Sequence, residues 1–512
     1  MYGCSLATRL LSRDDCRENQ STVIMRMANL VWFGFVGFGL LLLVAPVPAW
    51  AQQDGKPSVP AASGSQISVP QISAPVSDGN NNNSDGSIDE PPMVTPPVVS
   101  GQSYPVATAS QERSNYLRGG VIFSSAYSDN VLGATGANSA PVSDVSYSVW
   151  PTVALDETTT RLHWTLNYAP GFTFYQRTSA RNEADENAAV NFQYRVSPHV
   201  TFSAVDGFQK SSNVFNQPDL GSAGAVSGGT QAANLSVIAP VADRLSNGGN
   251  VGMTYQFAAN EMIGAGGSFS NLHYPDQAEV PGLFDSEAQG GSAFYSVRVA
   301  PGHYLGATYQ YQRLVAFPTQ GENETQTHAV LFFYTFNRTP AFSLSLFGGP
   351  QHSETVPPTV PAVASRAWTP AAGASMDWQG RFTNLALSYT HVIAGSGGLA
   401  GAVKTDSASL SVRQQMTRTF SGSVTGFYAQ NDVLDSVVLG TGNLGSSNLS
   451  TNGHSISGTA SLQQLVGQNL SFQAGYTRLH QDYSGVEVLA AHPDTNREFI
   501  SISYQFSKAL GR

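Results

Sequence analysis

From residue 116 to the C-terminus, apolar and polar side chains alternate with a period of two, in stretch after stretch long enough to be a full strand. The clearest example is residues 186–209. Ala188, Val190, Phe192, Tyr194 and Val196 alternate with Ala189, Asn191, Gln193 and Arg195. Ser197-Pro198-His199 then interrupts the pattern, because proline has no amide hydrogen to give to a ladder. Alternation resumes with Val200, Phe202 and Ala204 against Thr201 and Ser203. Eighteen such segments can be placed, centred on residues 120–127, 145–155, 162–174, 188–196, 200–209, 251–257, 263–272, 293–299, 304–314, 329–336, 342–349, 371–378, 382–392, 408–414, 420–430, 456–465, 470–479 and 499–506.

The connections between segments alternate in length. Short ones fall at 156–160, 197–199, 258–260, 300–302, 337–340, 379–381, 416–418 and 466–469, and the loops between them are longer and built from Gly, Ser, Asn, Asp and Pro. Strands joined by short turns at one end and long loops at the other predict an all-β, transmembrane, antiparallel up-and-down β-barrel. About eighteen strands are expected, with sixteen the alternative, short turns facing the periplasm and long loops facing outside. In a bilayer every backbone polar group must be paired within the protein, so a sheet crosses only by closing on itself. One face of each strand then meets lipid and the other a watery lumen. Tyr295, Val297 and Val299 stand against Ser296 and Arg298, and Ile500, Ile502, Tyr504 and Phe506 against Ser501, Ser503 and Gln505. The competing expectation, a soluble β-sandwich with the oily faces as its core, gives no reason for the two ends to differ.

Aromatic residues gather beside the short turns: Trp164, Tyr194, Phe202, Phe257, Phe336, Phe342, Trp378, Phe382, Phe420, Phe472 and Phe506. This is the pattern expected of a girdle at the periplasmic headgroup level. Arg161, Arg338, Arg381 and Arg418 sit in or beside short turns, while Arg195, Arg298 and Arg413 precede a turn on the face assigned to the lumen. Those last three are the candidate pore-lining cations, placed to bias the periplasmic mouth toward anions. The alternative is that they cap strand ends and snorkel to the interface. Acids such as Asp129, Glu183, Asp185, Asp285, Glu287, Glu324 and Asp482 fall at the long loops.

The N-terminal portion has a different character. Arg26 precedes an apolar run at 28–45, followed by Ala49-Trp50-Ala51, so residues 1–51 are expected to be a cleavable signal peptide, with Met25 or Met27 as alternative starts. Cys4 and Cys16 precede that run, leaving no cysteine for a disulfide or thiolate metal site in the processed chain. Residues 52–112, rich in Pro, Ser and Asn, predict a disordered periplasmic tether, and 113–512 the barrel. Within the tether Asn81, Asn83, Asp85, Gly86, Ile88 and Asp89 imitate a calcium loop, but Pro92 stands where the bidentate Glu belongs. The net charge of -10 and the absence of a basic tract argue against nucleic acid as a partner.

Enzymatic signals are sparse. The histidines, among them His163, His199, His273, His303, His352 and His492, are scattered with no HExxH spacing, and no glycine loop leads from a strand into a helix. No catalytic residue, cofactor or metal is expected.

The block at 162–215, and FNRTPAFSLSLFGGPQHS from Phe336, resembles bacterial outer-membrane barrels of the beta-barrel porin 2 type, a family associated with exopolysaccharide gene clusters. The resemblance implies an outer-membrane channel, with polysaccharide-export components as partners beside outer-membrane lipid, lipopolysaccharide and the barrel-assembly machinery. The last strand also resembles an assembly signal through Tyr504 and Phe506, although Ser501 replaces the usual glycine and residues 507–512 follow it. The function expected is a porin-like channel linked to extracellular polysaccharide. The alternatives are an adhesive surface barrel with a plugged lumen and an outer-membrane hydrolase. The connection at 215–247, with its apolar Leu235-Ser-Val-Ile-Ala-Pro segment, is the expected inward-folding loop.

Overall fold

A computed structural model of the chain describes Met93, Thr95 and residues 115–510, except for 132–140, 212–242, 278–279, 281, 319–320, 340, 358–363, 396, 435–436, 439–447, 450–451 and 485–493. All of them lie in one compact unit, residues 65–512. The strands are β1 (Asn115–Ser128), β2 (Asp144–Thr158), β3 (Leu162–Tyr175), β4 (Glu183–Ser197), β5 (Val200–Ser211), β6 (Arg244–Ala258), β7 (Glu261–His273), β8 (Ser286–Ala300), β9 (His303–Ala316) and β10 (Asn323–Thr339). They continue as β11 (Phe342–Val356), β12 (Ser365–Gln379), β13 (Thr383–Ala394), β14 (Val403–Gln415), β15 (Phe420–Val433), β16 (Val437–Val438), β17 (Asn448–Leu449), β18 (Gly453–Val466), β19 (Leu470–Tyr483) and β20 (Asp494–Ala509). The short β16 and β17 pair only with each other. The other strands form a single 18-stranded antiparallel sheet in chain order, closed by β1 pairing with β20 from Tyr116↔Ala509 to Ser128↔Arg497.

Every segment expected from the two-residue period is a strand of this barrel, and every expected short connection is a tight turn. Both the start of β1 and the end of β20 lie at the short-turn end. A register shift of one residue accompanies four of the turns, at Arg195/Ser197, Gln256/Ala258, Arg298/Ala300 and Asn337/Thr339, the local bulge that lets a tight turn follow a strongly twisted pair. Among the described residues, no helix is long and apolar enough to cross a membrane, a fact that does not bear on crossing by strands.

The two faces of the wall are chemically inverted relative to a soluble protein. Phe123, Tyr147, Tyr168, Phe172, Met253, Tyr309, Phe332, Leu387, Val424, Ile456 and Ile500 are exposed on the outside, while Ser148, Thr173, Ser296, Thr308, Gln310, Thr325, Thr335 and Ser471 are buried on the inside. Each oily residue left in water forgoes about 1.5–3 kcal/mol of burial, so an outer belt of this extent is stable only against lipid. Inside, hydroxyls satisfy one another across neighbouring strands. Ser148 and Thr173 lie 2.9 Å apart, Thr325 and Thr355 3.0 Å, Thr459 and Thr477 3.0 Å, and Ser471 and Ser503 2.6 Å.

Two of the inward-facing aromatic rings lie flat along the wall. Phe294 lies over Gly264, its pairing partner on β7, and Phe333 over Gly306, its partner on β9. A Cβ at either glycine would strike the ring, so the missing side chain is what allows the aromatic to lie flat along the wall.

Candidate functional site: the lumen and its two mouths

At the long-loop end the β7–β8 and β13–β14 connections fold inward and meet. Leu272, Tyr274, Val280 and Leu283 form one apolar cluster with Leu399, Val403 and Tyr483, which come from strands and loops nearly half a ring away. Phe284 packs on Ala400, and Ile393 and Ala402 pack on Ala288 and Leu314. Polar contacts fix the bridge. The Tyr274 hydroxyl donates to Gly397 O at 3.2 Å, Phe284 N–H to Gly398 O at 2.7 Å, and Asn323 Nδ2 to Ala400 O at 3.0 Å. Gly397 and Gly398 have φ of 63° and 111°, and a Cβ on Gly398 would also meet the Tyr274 ring. Glycine is therefore needed there on two counts. The expected inward segment, 215–247, falls almost entirely outside the described residues; the described bridge is built from the β7–β8 and β13–β14 connections instead.

Asp285 ties down the far side of the bridge. Its carboxylate contacts His273 Nδ1 at 2.7 Å and accepts from the Tyr274 N–H at 2.9 Å. Burial pushes the carboxyl up, but these hydrogen bonds prevail and hold it below its ordinary value. Burial pushes the Tyr274 phenol up to about 12, so the hydroxyl remains a donor at neutral pH.

At the short-turn end an N-terminal residue enters the wall. Met93 is fully buried and packs on Met262, Phe294 and Tyr304, inward residues of β7, β8 and β9. Thr95 is also buried. These are the described residues of the span expected to be a tether. The calcium-like residues between 81 and 89 lie outside the described residues, and so does the signal-peptide segment. Among the described residues no group of His, Cys, Asp or Glu is arranged to hold a metal ion.

The three candidate pore-lining arginines all occupy inward register positions near this end. Arg195 pairs with Thr201, Arg298 with Tyr304, and Arg413 with Asn384 on one side and Ser423 on the other. They belong to β4, β8 and β14, so the structure spreads them around the ring. Arg298 also caps a turn, with Nε donating to Asn260 Oδ1 at 2.8 Å and Nη2 to Ala259 O at 3.3 Å.

The aromatic set Trp164, Tyr194, Phe202, Phe257, Phe336, Phe342, Trp378, Phe382, Phe420, Phe472 and Phe506 falls on the opposite, outward face, close to the short turns. Neighbouring rings touch: Phe257 stacks with Tyr295 at 6.5 Å, Phe336 meets Phe342 edge-on at 6.4 Å, and Trp164 Nε1 donates to Glu157 at 2.9 Å. Toward the other end of the same outer face the residues become ionic. Arg313 pairs with Glu324 at 2.7 Å, Arg366 with Glu354 at 2.9 Å and Arg478 with Asp494 at 3.3 Å. The apolar belt is thus bounded by aromatics on one side and charge pairs on the other.

Fold and lumen together define a closed antiparallel barrel with a lipid-compatible outside and a hydroxylated inside. Neither a protein-family model nor a curated protein matches the sequence. Among solved structures the chain is similar to OccAB4 of Acinetobacter baumannii, at 9% identity and a TM-score of 0.38, covering 78% of this chain and 100% of that one. It is similar also to the outer membrane protein opdK of Pseudomonas aeruginosa, at 9% identity and a TM-score of 0.38, covering 77% and 99%. The ferric citrate transporter FecA matches at 9% identity and a TM-score of 0.38, covering 73% of this chain. The chain spans 61% of FecA and 64% of an FrpB iron transporter from Neisseria meningitidis.

Proposed function

We propose that this chain is an outer-membrane diffusion channel whose lumen is narrowed by the β7–β8 and β13–β14 connections. The observation that carries the reading is the inverted wall: a hydroxyl-lined interior within an exposed apolar exterior, closed into a ring wide enough for water. On this reading the short turns face the periplasm, residues 1–51 are a secretory signal and the N-terminal arm is periplasmic. The outward rings from Trp164 to Phe506 form the inner headgroup girdle, and the charge pairs at Arg313, Arg366 and Arg478 meet the outer leaflet with its lipopolysaccharide. Arg195, Arg298 and Arg413 draw anions to the inner mouth. Purified protein in a planar bilayer tests the core of the proposal, which requires reproducible open levels; their absence would remove it.

A closed, structural surface barrel is the second reading, favoured by the apolar bridge from Tyr274 to Leu399 across the mouth. It predicts silence in the same bilayer. The link to extracellular polysaccharide rests on the sequence resemblance and is checked by whether neighbouring genes encode glycosyltransferases and a periplasmic export protein.

A further inference from the structure

Four buried hydrogen-bond donors without an acceptor lie on one arc of the lumen wall, toward the long-loop end. They are Trp150 Nε1 on β2, Asn187 Nδ2 on β4, Ser211 Oγ on β5 and Arg244 Nη2 on β6. Trp150 is fully buried, with its ring lying over Gly171. Strand pairing places the residues together. Gly171 pairs with Asp185 two residues along from Asn187, Asn187 pairs with Gln209 two residues short of Ser211, and Ser211 pairs with Arg244. With strands about 4.8 Å apart, Asn187, Ser211 and Arg244 fall within roughly 10 Å of one another, and Trp150 two strands further on.

Native proteins pair nearly all of their buried donors, so a cluster of four orphans requires an explanation. A buried guanidinium is the most demanding of them, because a charge removed from water needs a counter-charge. Arg244 is only 5% exposed and its Nη2 has no partner; the buried Asp185 occupies the same register row, beyond Ser211 and two strands away, and forms no ion pair with it. Tyr274 is within electrostatic reach of it, but its hydroxyl oxygen takes no hydrogen bond from Nη2.

We infer that this arc is a binding subsite for an anionic, acceptor-rich solute, of which a sugar acid is the type. The carboxylate lies against Arg244 and Ser211, and ring or hydroxyl oxygens take the protons of Asn187 and Trp150. The assignment rests on the channel reading for its role, since it supplies a solute class for that lumen, but binding itself does not depend on conduction.

The test is isothermal titration of the full chain in detergent with glucuronate and with glucose, together with the conductance of the same preparation. Glucuronate is expected to bind roughly ten-fold more tightly than glucose or better, the discrimination of one good charge-assisted contact. Arg244→Gln should abolish the preference, Arg244→Lys should restore part of it, and Arg366→Gln, on the outer face, should leave it intact. Heat-modifiable gel migration establishes that each variant is folded, and Ser211→Ala replaces Arg244→Gln if the latter is not. Equal binding of the two sugars, no glucuronate binding by the folded wild type, or a folded Arg244→Gln that binds as the wild type does would each overturn the inference. Conductance without glucuronate binding sinks only this subsite; binding without conductance sinks only the channel.

Discussion

Tyr274, just beyond the end of β7, gives its hydroxyl to the carbonyl of Gly397, a residue 123 positions later in the chain and on the other side of the barrel mouth. Together with the Phe284 N–H bond to Gly398 O, it joins the two connections that narrow the lumen. Tyr274→Phe leaves the Gly397 carbonyl without its donor, at a local cost of about 1–3 kcal/mol. Tyr274→Ala also removes the ring from the Leu272, Leu283 and Leu399 cluster. Tyr274→Phe should raise the frequency of transitions between conductance levels, and Tyr274→Ala should raise the unitary conductance itself, both read in single-channel recordings.

Acid should loosen the same bridge. The Asp285 carboxyl is held below its ordinary value by hydrogen bonds from His273 and the Tyr274 amide, with Gln277 adding to them. A carboxyl depressed in the folded state contributes stability that is fully present above its unfolded value of about 4 and is lost as pH falls through its lower folded value. His273, raised by the same pair, adds stability as pH falls toward its ordinary value of about 6.5, so protease cleavage in the β7–β8 connection should be lowest at about pH 5 to 6 and rise below about pH 4. Asp285→Asn should raise cleavage already at neutral pH and flatten the acid rise.

Met93 should hold the N-terminal arm at the opposite mouth. Replacing a buried methionine by a charged residue removes about 2–5 kcal/mol of packing and adds a desolvation cost. Met93→Asp should expose the arm to protease. A Met93→Cys, Met262→Cys pair should cross-link under oxidation and lower conductance until it is reduced. Failure of the pair to cross-link would contradict the packing of Met93 on Met262.

The three inner-mouth arginines should not contribute equally to ion selectivity. Arg298 is committed to Asn260 and Ala259, so Arg298→Ala should mainly loosen the β7 and β8 ends, by about 1 kcal/mol or more, seen as a lower unfolding temperature. Arg195→Ala with Arg413→Ala should instead move the reversal potential in a salt gradient toward cations.

Gly306→Ala places a Cβ against the Phe333 ring and the Tyr295 carbonyl. Overpacking of this kind costs about 1–3 kcal/mol. The expected result is a lower thermal transition in detergent and, if the ring swings off the wall, a smaller pore.

The strands were legible because a half-lipid, half-water wall imposes its period on every segment, whatever the individual residues. The hairpin at Val190, Phe192, Tyr194 and Val196 shows its outward face directly in the order of its letters. The bridge was not legible. Its β13–β14 half is Gly395, Gly397, Gly398, Leu399, Ala400, Gly401 and Ala402, a composition that reads as a plain loop. The positions of its glycines acquire meaning only against Tyr274. Nor could Met93 be distinguished from its Pro-rich surroundings, since one apolar residue makes no period. Arg244 stands at the edge of a strand whose sequence, RLSNGGN, alternates weakly, and the orphaned state of its Nη2 is a property of the folded wall. In the lumen-facing aromatics, too, alternation gives the direction but not the posture. Phe294 and Phe333 lie flat only because of glycines on neighbouring strands.

The seam between Leu117 and Lys508 pairs the two extremes of the barrel sequence. No earlier stage of synthesis can make that contact, and the open ends of β1 and β20 each present an unsatisfied ladder until it forms. Among the strand pairings, ring closure therefore has the largest loop-closure entropy to overcome. A truncated chain lacking β20 would retain almost all of its local hairpins. It would nonetheless be left with two sticky edges in place of none, making it a substrate for aggregation or degradation instead of a smaller pore.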